Sequence, residues 1–357
     1  MGDSYPVIRL AAIQAASVFL DRQASVARAA ELIREAGKAG AEFIVFPEGF
    51  IPAHPIWYQY HPAMSPEATG LSVELFANAV EVPGPHLAAI AEAARAAGAF
   101  VVVGVCERTP GRTGTLYNTQ VYFGPDGEYL GKHQKLVPTV TERLVHGPGS
   151  AATFGARPSR YGQVSSLICG ENSNPLAVFA LIAEGTQVHG MSWPPTFGPT
   201  GQPIRARVQN AAIAFAQMAK TFVVAACGVV DEATISALDI TDEHAAFLRS
   251  PNATGGSVIV SPTAEVMAQA SDDGGEQIVL AEADLKTAVR AKFVADVAGH
   301  YNRPDVFSLR VDRTDRKLYD VIGDIEHRVH SPERIGDEQE GLDEAGIGIS
   351  APPLRGT

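Results

Sequence analysis

Cysteine is scarce in this chain: three in 357 residues, Cys106, Cys169 and Cys227, with no CxxC pair among them. So few, unpaired thiols exclude a disulfide scaffold and a structural zinc site of the paired-cysteine kind. Positive charge is also in deficit, with 28 Lys and Arg against 40 Asp and Glu and a formal net charge of −12. Phosphate backbones and anionic surfaces are bound by clustered Lys and Arg, so nucleic acid and membrane are discounted as partners. Long apolar runs are missing too: none approaches the roughly 18 residues that a membrane span needs. Met1 to Leu10 lacks the basic stretch and long apolar run of a secretory signal. A cytoplasmic protein is the expectation.

What is present is an ordinary globular balance, 46% hydrophobic and 19% charged, enough for a sizeable core. Val7 to Gln14 reads as a strand. Val26, Ala29, Leu32, Ile33 and Ala36 repeat at helical spacing across Ser25 to Lys38, and Phe43 to Phe46 is a buried-strand run stopped by Pro47. The unit recurs with an Ala-rich helix over His86 to Ala97 and a strand over Phe100 to Val105. Tyr117 to Phe123 and Glu128 to Leu136, joined by Gly124-Pro125-Asp126-Gly127, predict a hairpin. The second half repeats the rhythm: strand Val164 to Cys169, helix Leu176 to Glu184, strand Gln187 to Trp193, helix Ile204 to Lys220, strand Phe222 to Val230. Ser257 to Gln269 and Glu276 to Ala283 predict a further hairpin. The alternation runs on without a linker, which predicts one α/β domain over residues 1–303. From Pro304 the text turns polar and irregular, and 304–357 reads as a C-terminal extension, either mobile or ordered against another subunit.

Three residues invite a chemical reading. Cys169 follows the apolar run Val164 to Ile168 and precedes Gly170, which permits a sharp turn. A helix then starts, capped by Asn172 or Asn174, with Pro175 in its first turn. A thiol at a strand end facing a helix N-terminus feels positive potential, which favours thiolate. The competing reading is a plain core cysteine; for Cys106 and Cys227, both inside apolar strands, that reading is adopted. Glu48 ends a strand in Val45-Phe46-Pro47-Glu48, at the carboxyl edge where open α/β sheets place their sites. Its apolar neighbours would raise its pKa toward that of a useful base; taken alone, it reads first as a solvated loop acid. Lys132 and Lys135 lie on opposite faces of one strand, so only one points inward. An inward Lys stabilises negative charge developing on a substrate, whereas an outward one is an ordinary surface lysine.

Taken together these segments resemble a family. Phe46-Pro47-Glu48, Lys132-His133-Gln134-Lys135-Leu136 and Leu167-Ile168-Cys169-Gly170-Glu171-Asn172 match, in chain order, the Glu–Lys–Cys motifs of the nitrilase superfamily, over about Ile8 to Leu309. Glu142-Arg143-Leu144-Val145-His146-Gly147, Asn174-Pro175-Leu176 and Gly299-His300-Tyr301-Asn302-Arg303-Pro304-Asp305 are similar to its true nitrilase branch, though many members have an aromatic residue where this chain has His146. The resemblance implies an α-β-β-α sandwich that pairs sheet to sheet into homodimers and often into spirals or filaments.

It also implies a cofactor-free reaction in which Cys169 is nucleophile, Glu48 base, Lys135 the stabilising cation and Glu142 a second acid beside them. The substrate is a small-molecule nitrile, released as carboxylic acid and ammonia. Gly170 would supply a backbone donor, and Trp57, Tyr58, Trp193, Phe197 and His300 are candidates for the substrate wall, although Trp and Tyr are commonly buried for packing. The alternatives are an amidase or N-carbamoyl hydrolase with the same triad, a nitrile hydratase-like release of amide, and a non-catalytic assembly or binding protein on this fold. His54, His61 and His133 are conceivable metal ligands, but no HExxH or close His pair supports a metal.

Overall fold

The computed structural model describes residues 5–199 and 202–315. The first half contributes β1 (Val7–Gln14), α1 (Arg22–Lys38), β2 (Phe43–Val45), α2 (Pro66–Asn78), α3 (Ala88–Ala97), β3 (Phe100–Arg108), β4 (Leu116–Phe123) and β5 (Tyr129–Gln134). The second contributes β6 (Arg157–Ser159), β7 (Gly162–Ile168), α4 (Pro175–Ala183), β8 (Thr186–Trp193), α5 (Ile204–Ala219) and β9 (Phe222–Cys227). It closes with α6 (Glu232–Leu238), α7 (Asp242–Leu248), β10 (Val258–Val260), β11 (Val266–Gln269), β12 (Gln277–Asp284) and α8 (Lys286–Val294).

The strands form two six-stranded sheets, ordered β12-β1-β2-β3-β4-β5 and β11-β10-β9-β8-β7-β6. Each has a parallel centre, β1-β2-β3 in one and β7-β8-β9 in the other, with antiparallel flanks. The period of two in the strands decides the layers. In β1, Ile8, Leu10 and Ala12 join Phe43, Val45, Phe100 and Val102 in facing Val164, Val188, Phe222 and Val224 of the other sheet. Ala11 and Ile13 face the opposite way, onto Ala29, Ile33 and Ala36 of α1 and Ile90 and Ala94 of α3. The outer face of the second sheet is covered by Val178 and Leu181 of α4 and Val208, Ala212 and Phe215 of α5. The layering is therefore α-β-β-α.

Local signals set the helix ends. Asp21 accepts a hydrogen bond from the Ala24 N–H at 2.9 Å at the start of α1, and Gly98, at φ +61°, ends α3. Asn174, not Asn172, caps α4, accepting from Leu176 and Ala177 N–H. One pairing differs from expectation. Ser257 to Gln269 is itself a hairpin, β10 against β11, and β12 does not pair with it but crosses to the first sheet and runs antiparallel to β1. Both strands carry similar apolar alternation, and periodicity fixes which face is buried, not which neighbour is taken.

After α8 no helix or strand follows within residues 295–315, but this stretch is not detached. Leu309 packs on the cluster that covers α4, and Arg313 forms an ion pair with Glu184. The rest of the extension, 316–357, lies outside the described residues. No helix among the described residues is long and apolar enough to cross a membrane.

Candidate active site

The carboxyl ends of the parallel strands in the two sheets meet at one edge. β2 runs out through Phe46 to Glu48, whose N–H donates to the Trp193 carbonyl at 3.1 Å, at the end of β8 in the other sheet. A polar chain fixes this junction: the Gln120 amide donates to Ser192 Oγ at 2.8 Å, and Ser192 Oγ donates to the Phe46 carbonyl at 2.8 Å. Register places Ile168 beside Ser192, so Cys169 emerges next to Trp193. Cys169 itself takes a positive φ of 51°, a strained setting for a side chain with a Cβ. It starts a 3-10 turn, Cys169–Ser173, and α4 begins only after it. This is the strand–turn–helix expected of a nucleophile elbow.

Lys135 follows the last residue of β5 rather than lying within the strand, and the parting of the two lysines is clear. Lys132 Nζ pairs with Glu107 and the Val82 carbonyl. Lys135, only 1% exposed, turns inward and donates to Glu48 Oε1 at 2.7 Å and Glu142 Oε2 at 2.5 Å. Glu142 sits in a 3-10 turn, Val140–Leu144, where its Oε2 also accepts from the Thr139 N–H at 2.8 Å and its Oε1 from His146 Nδ1 at 3.1 Å. The sequence reading missed Asn118 of β4. Its side-chain amide donates to Glu48 Oε1 at 2.7 Å and Glu142 Oε1 at 2.6 Å, while its backbone carbonyl accepts from the Lys135 backbone N–H at 2.8 Å. Glu48 Oε2 is buried and has no hydrogen-bond partner.

Electrostatics correct two expectations. Burial pushes the Glu48 carboxyl up, but the Lys135 ammonium and His54 outweigh it, so Glu48 is held below the ordinary carboxylate range rather than raised. Burial likewise pushes Glu142 up, and its bond from His146 and the Lys135 charge hold it well below that range. Lys135 is pushed down by burial but raised overall by Glu48, Cys169 and Glu142. The Cys169 thiol is raised well above its ordinary value by burial and by Glu48, against the opposing pull of Lys135 and the Gly170 N–H. Burial and the negative charge on Glu48 thus favour the thiol over the expected thiolate. Cys106 and Cys227 are core residues, wholly buried, as predicted.

The remaining candidates divide. Trp193 and Phe197 pack in the same apolar cluster as Cys169, their rings edge to face at 6.2 Å, and Trp193 Nε1 is buried without a partner. Trp57 is fully buried in a different cluster; its Nε1 donates to Ser72 Oγ, and Tyr58 shares that hydroxyl. Trp57 is thus held as core. His300 is exposed on the turn after α8 and is not brought to the buried triad. His61 bonds the Leu238 carbonyl and His133 bonds Glu171, so neither joins His54. Glu48, His54 and Glu142 are the one group among the described residues with a metal-like spacing. Lys135 Nζ already bridges the two carboxylates there and supplies the cation.

A buried thiol, a carboxylate with one free oxygen, and an ammonium between two acids can open a polar carbon–nitrogen bond by covalent catalysis. The carbon-nitrogen hydrolase family pattern matches residues 9–293. The chain belongs to the carbon–nitrogen hydrolase family. It is 37% identical to an aliphatic nitrilase of Sinorhizobium fredii (strain HH103), covering 85% of this chain and 95% of that one. It is 33% identical to nitrilase 1 of Arabidopsis thaliana, covering 89% and 91%. The fold is also that of the NitFhit protein of C. elegans, with a TM-score of 0.65 at 17% identity over 88% of this chain and 70% of that one. These likenesses meet the expectation of the nitrilase superfamily and its α/β sandwich.

Proposed function

We propose that this protein is a nitrilase, converting an organic nitrile and two waters to a carboxylic acid and ammonia. The observation that carries the reading is the unpartnered Glu48 Oε2 in a buried site whose other three carboxylate oxygens are taken, in a chain akin to curated nitrilases over most of its length. Glu48 takes the Cys169 proton as sulfur attacks the nitrile carbon, so the thiolate forms only as it is consumed. Negative charge gathers on the nitrile nitrogen, where the Lys135 ammonium and the Gly170 N–H stabilise it. Return of the proton from Glu48 gives a thioimidate. Water, deprotonated by Glu48, adds to it. Ammonia leaves with that proton and the one shed by the added hydroxyl as its C=O forms, and a thioester remains; a second water cleaves it, freeing the acid and the thiol.

Glu142 keeps Lys135 charged and placed. Trp193 and Phe197 wall the apolar end of the site. The three free, buried cysteines suit a reducing compartment, and we place the protein in the cytoplasm.

The test is ammonia and carboxylic acid release across aliphatic, aromatic and arylaliphatic nitriles, with the matching amides alongside. Cys169→Ala abolishes release; nitrile turnover retained in that variant, or turnover of amides alone by the parent, defeats the reading.

A further inference from the structure

Glu171 lies two residues past Cys169 and has no part in the steps above. It is nonetheless buried, and its contacts run to both catalytic segments. Its Oε1 accepts from the Leu136 N–H, next to Lys135, at 2.7 Å. Its Oε2 accepts from the Ile168 N–H, immediately before Cys169, at 3.0 Å, and from His133 Nε2 at 2.9 Å. β5 is the edge strand of one sheet and β7 belongs to the other, so no strand ladder joins these two ends. One carboxylate does. We infer that Glu171, steadied by His133, is a positioning residue that sets the Lys135 ammonium against the Cys169 sulfur.

The chemistry of the group explains why an acid stands there. A carboxylate accepts at both oxygens, so it can hold an N–H at each end. Glutamine has one acceptor oxygen; its NH₂ would face whichever N–H the oxygen does not take, and one segment must be released. Aspartate is a methylene shorter and cannot reach both. Misplacing reacting groups by about 1 Å costs on the order of 10²-fold in rate.

The inference rests on the assignment of Cys169 and Lys135 above, and the experiment separates the two. Glu171→Gln is compared with the parent for nitrile turnover and for the rate of Cys169 alkylation by iodoacetamide, which needs no substrate. The expected result is kcat per labelled Cys169 down by roughly 30- to 100-fold, KM within threefold and alkylation at least tenfold slower. A merely structural role would lower the fraction of labelled, active protein and leave kcat per labelled site alone. A change of less than threefold in both kcat and alkylation rate overturns the inference. Should Glu171→Gln not fold, His133→Phe decides. It keeps the ring packing against Phe154 (centroids 5.9 Å apart) and loses the hydrogen bond; a threefold or greater loss in both rates supports the inference and a smaller one overturns it. A parent that turns over no nitrile yet labels readily at Cys169 defeats the nitrile reading alone, and the alkylation comparison still decides Glu171.

Discussion

Asn118 shows how much of this site is held by a residue with no chemistry of its own. Two acids and one ammonium are buried together, and burying such charges is costly unless they are paired and hydrogen-bonded. The Asn118 amide gives one hydrogen to each acid, on the oxygens that face it, which leaves Glu48 Oε2 as the free one. Replacing Asn118 by Leu keeps the volume and strips both donors. A hydrogen bond to a charged group is worth about 1.5–3 kcal/mol, so kcat is expected to fall roughly 10- to 100-fold. Steady-state kinetics decide it, and a kcat within twofold of the parent would contradict the role. His146→Phe removes one donor from Glu142, which keeps three others, so its loss is expected to be smaller than that of Asn118→Leu. The opposite order would show that His146, not Asn118, holds the second acid. Glu48, Lys135, Glu142 and Cys169 were legible in the sequence because each sits in a motif. Asn118 was not: an Asn inside Leu116-Tyr117-Asn118-Thr119 reads only as a poor strand former, and its meaning comes from β4 lying between β3 and β5, where it meets Lys135 and its amide reaches Glu48.

The element that brings Glu48 to the site is the turn after β2, and β3 presses on it from beneath. A Cβ at Gly104 would stand 2.2 Å from the Pro47 carbonyl oxygen, 2.9 Å from the Gly49 nitrogen and 3.1 Å from the Glu48 Cα. All three are backbone atoms, so the turn itself must move. Gly104→Ala is therefore expected to cost about 1–3 kcal/mol of stability through overpacking, and to lower kcat at least tenfold because the displaced segment carries the base. Thermal unfolding and kinetics on the same sample check it; an unchanged melting point with parental kcat would mean that the turn yields freely. At this scale the sequence was readable where periodicity is strong. α1, α3, β7 and β8 fall within a few residues of expectation. It was unreadable where pairing is long-range: β12 finds β1 across the whole chain because their apolar alternation matches in register, a fact that belongs to neither segment alone.

The whole molecule carries a set of buried ionisable groups whose shifts all narrow the pH range of stability. On the acid side, burial lowers His146, and burial with His133 lowers His189 well below its ordinary 6.5. Such a histidine stays neutral in the fold and takes a proton once unfolded, so the unfolded chain binds more protons and stability falls as pH drops below about 6.5. Glu48 and Glu142, held below 4.5 despite burial, add a further loss once the pH falls beneath that value, since the unfolded carboxyls protonate first. On the alkaline side, burial raises Cys106, Cys169 and Cys227 above their ordinary 9.0. The unfolded thiols ionise first, the unfolded chain then binds fewer protons, and stability falls as pH rises past about 9. Each group contributes up to about 1.4 kcal/mol per pH unit in its window. The melting temperature is therefore expected to be highest between about pH 6.5 and 9 and to fall on both flanks. Cys227→Ala removes one of the three raised thiols without touching the triad, so its alkaline flank should be shallower than the parent's. A melting temperature that rises from pH 7 to pH 5, or a Cys227→Ala flank as steep as the parent's, would show that these buried groups do not govern the pH dependence of the fold.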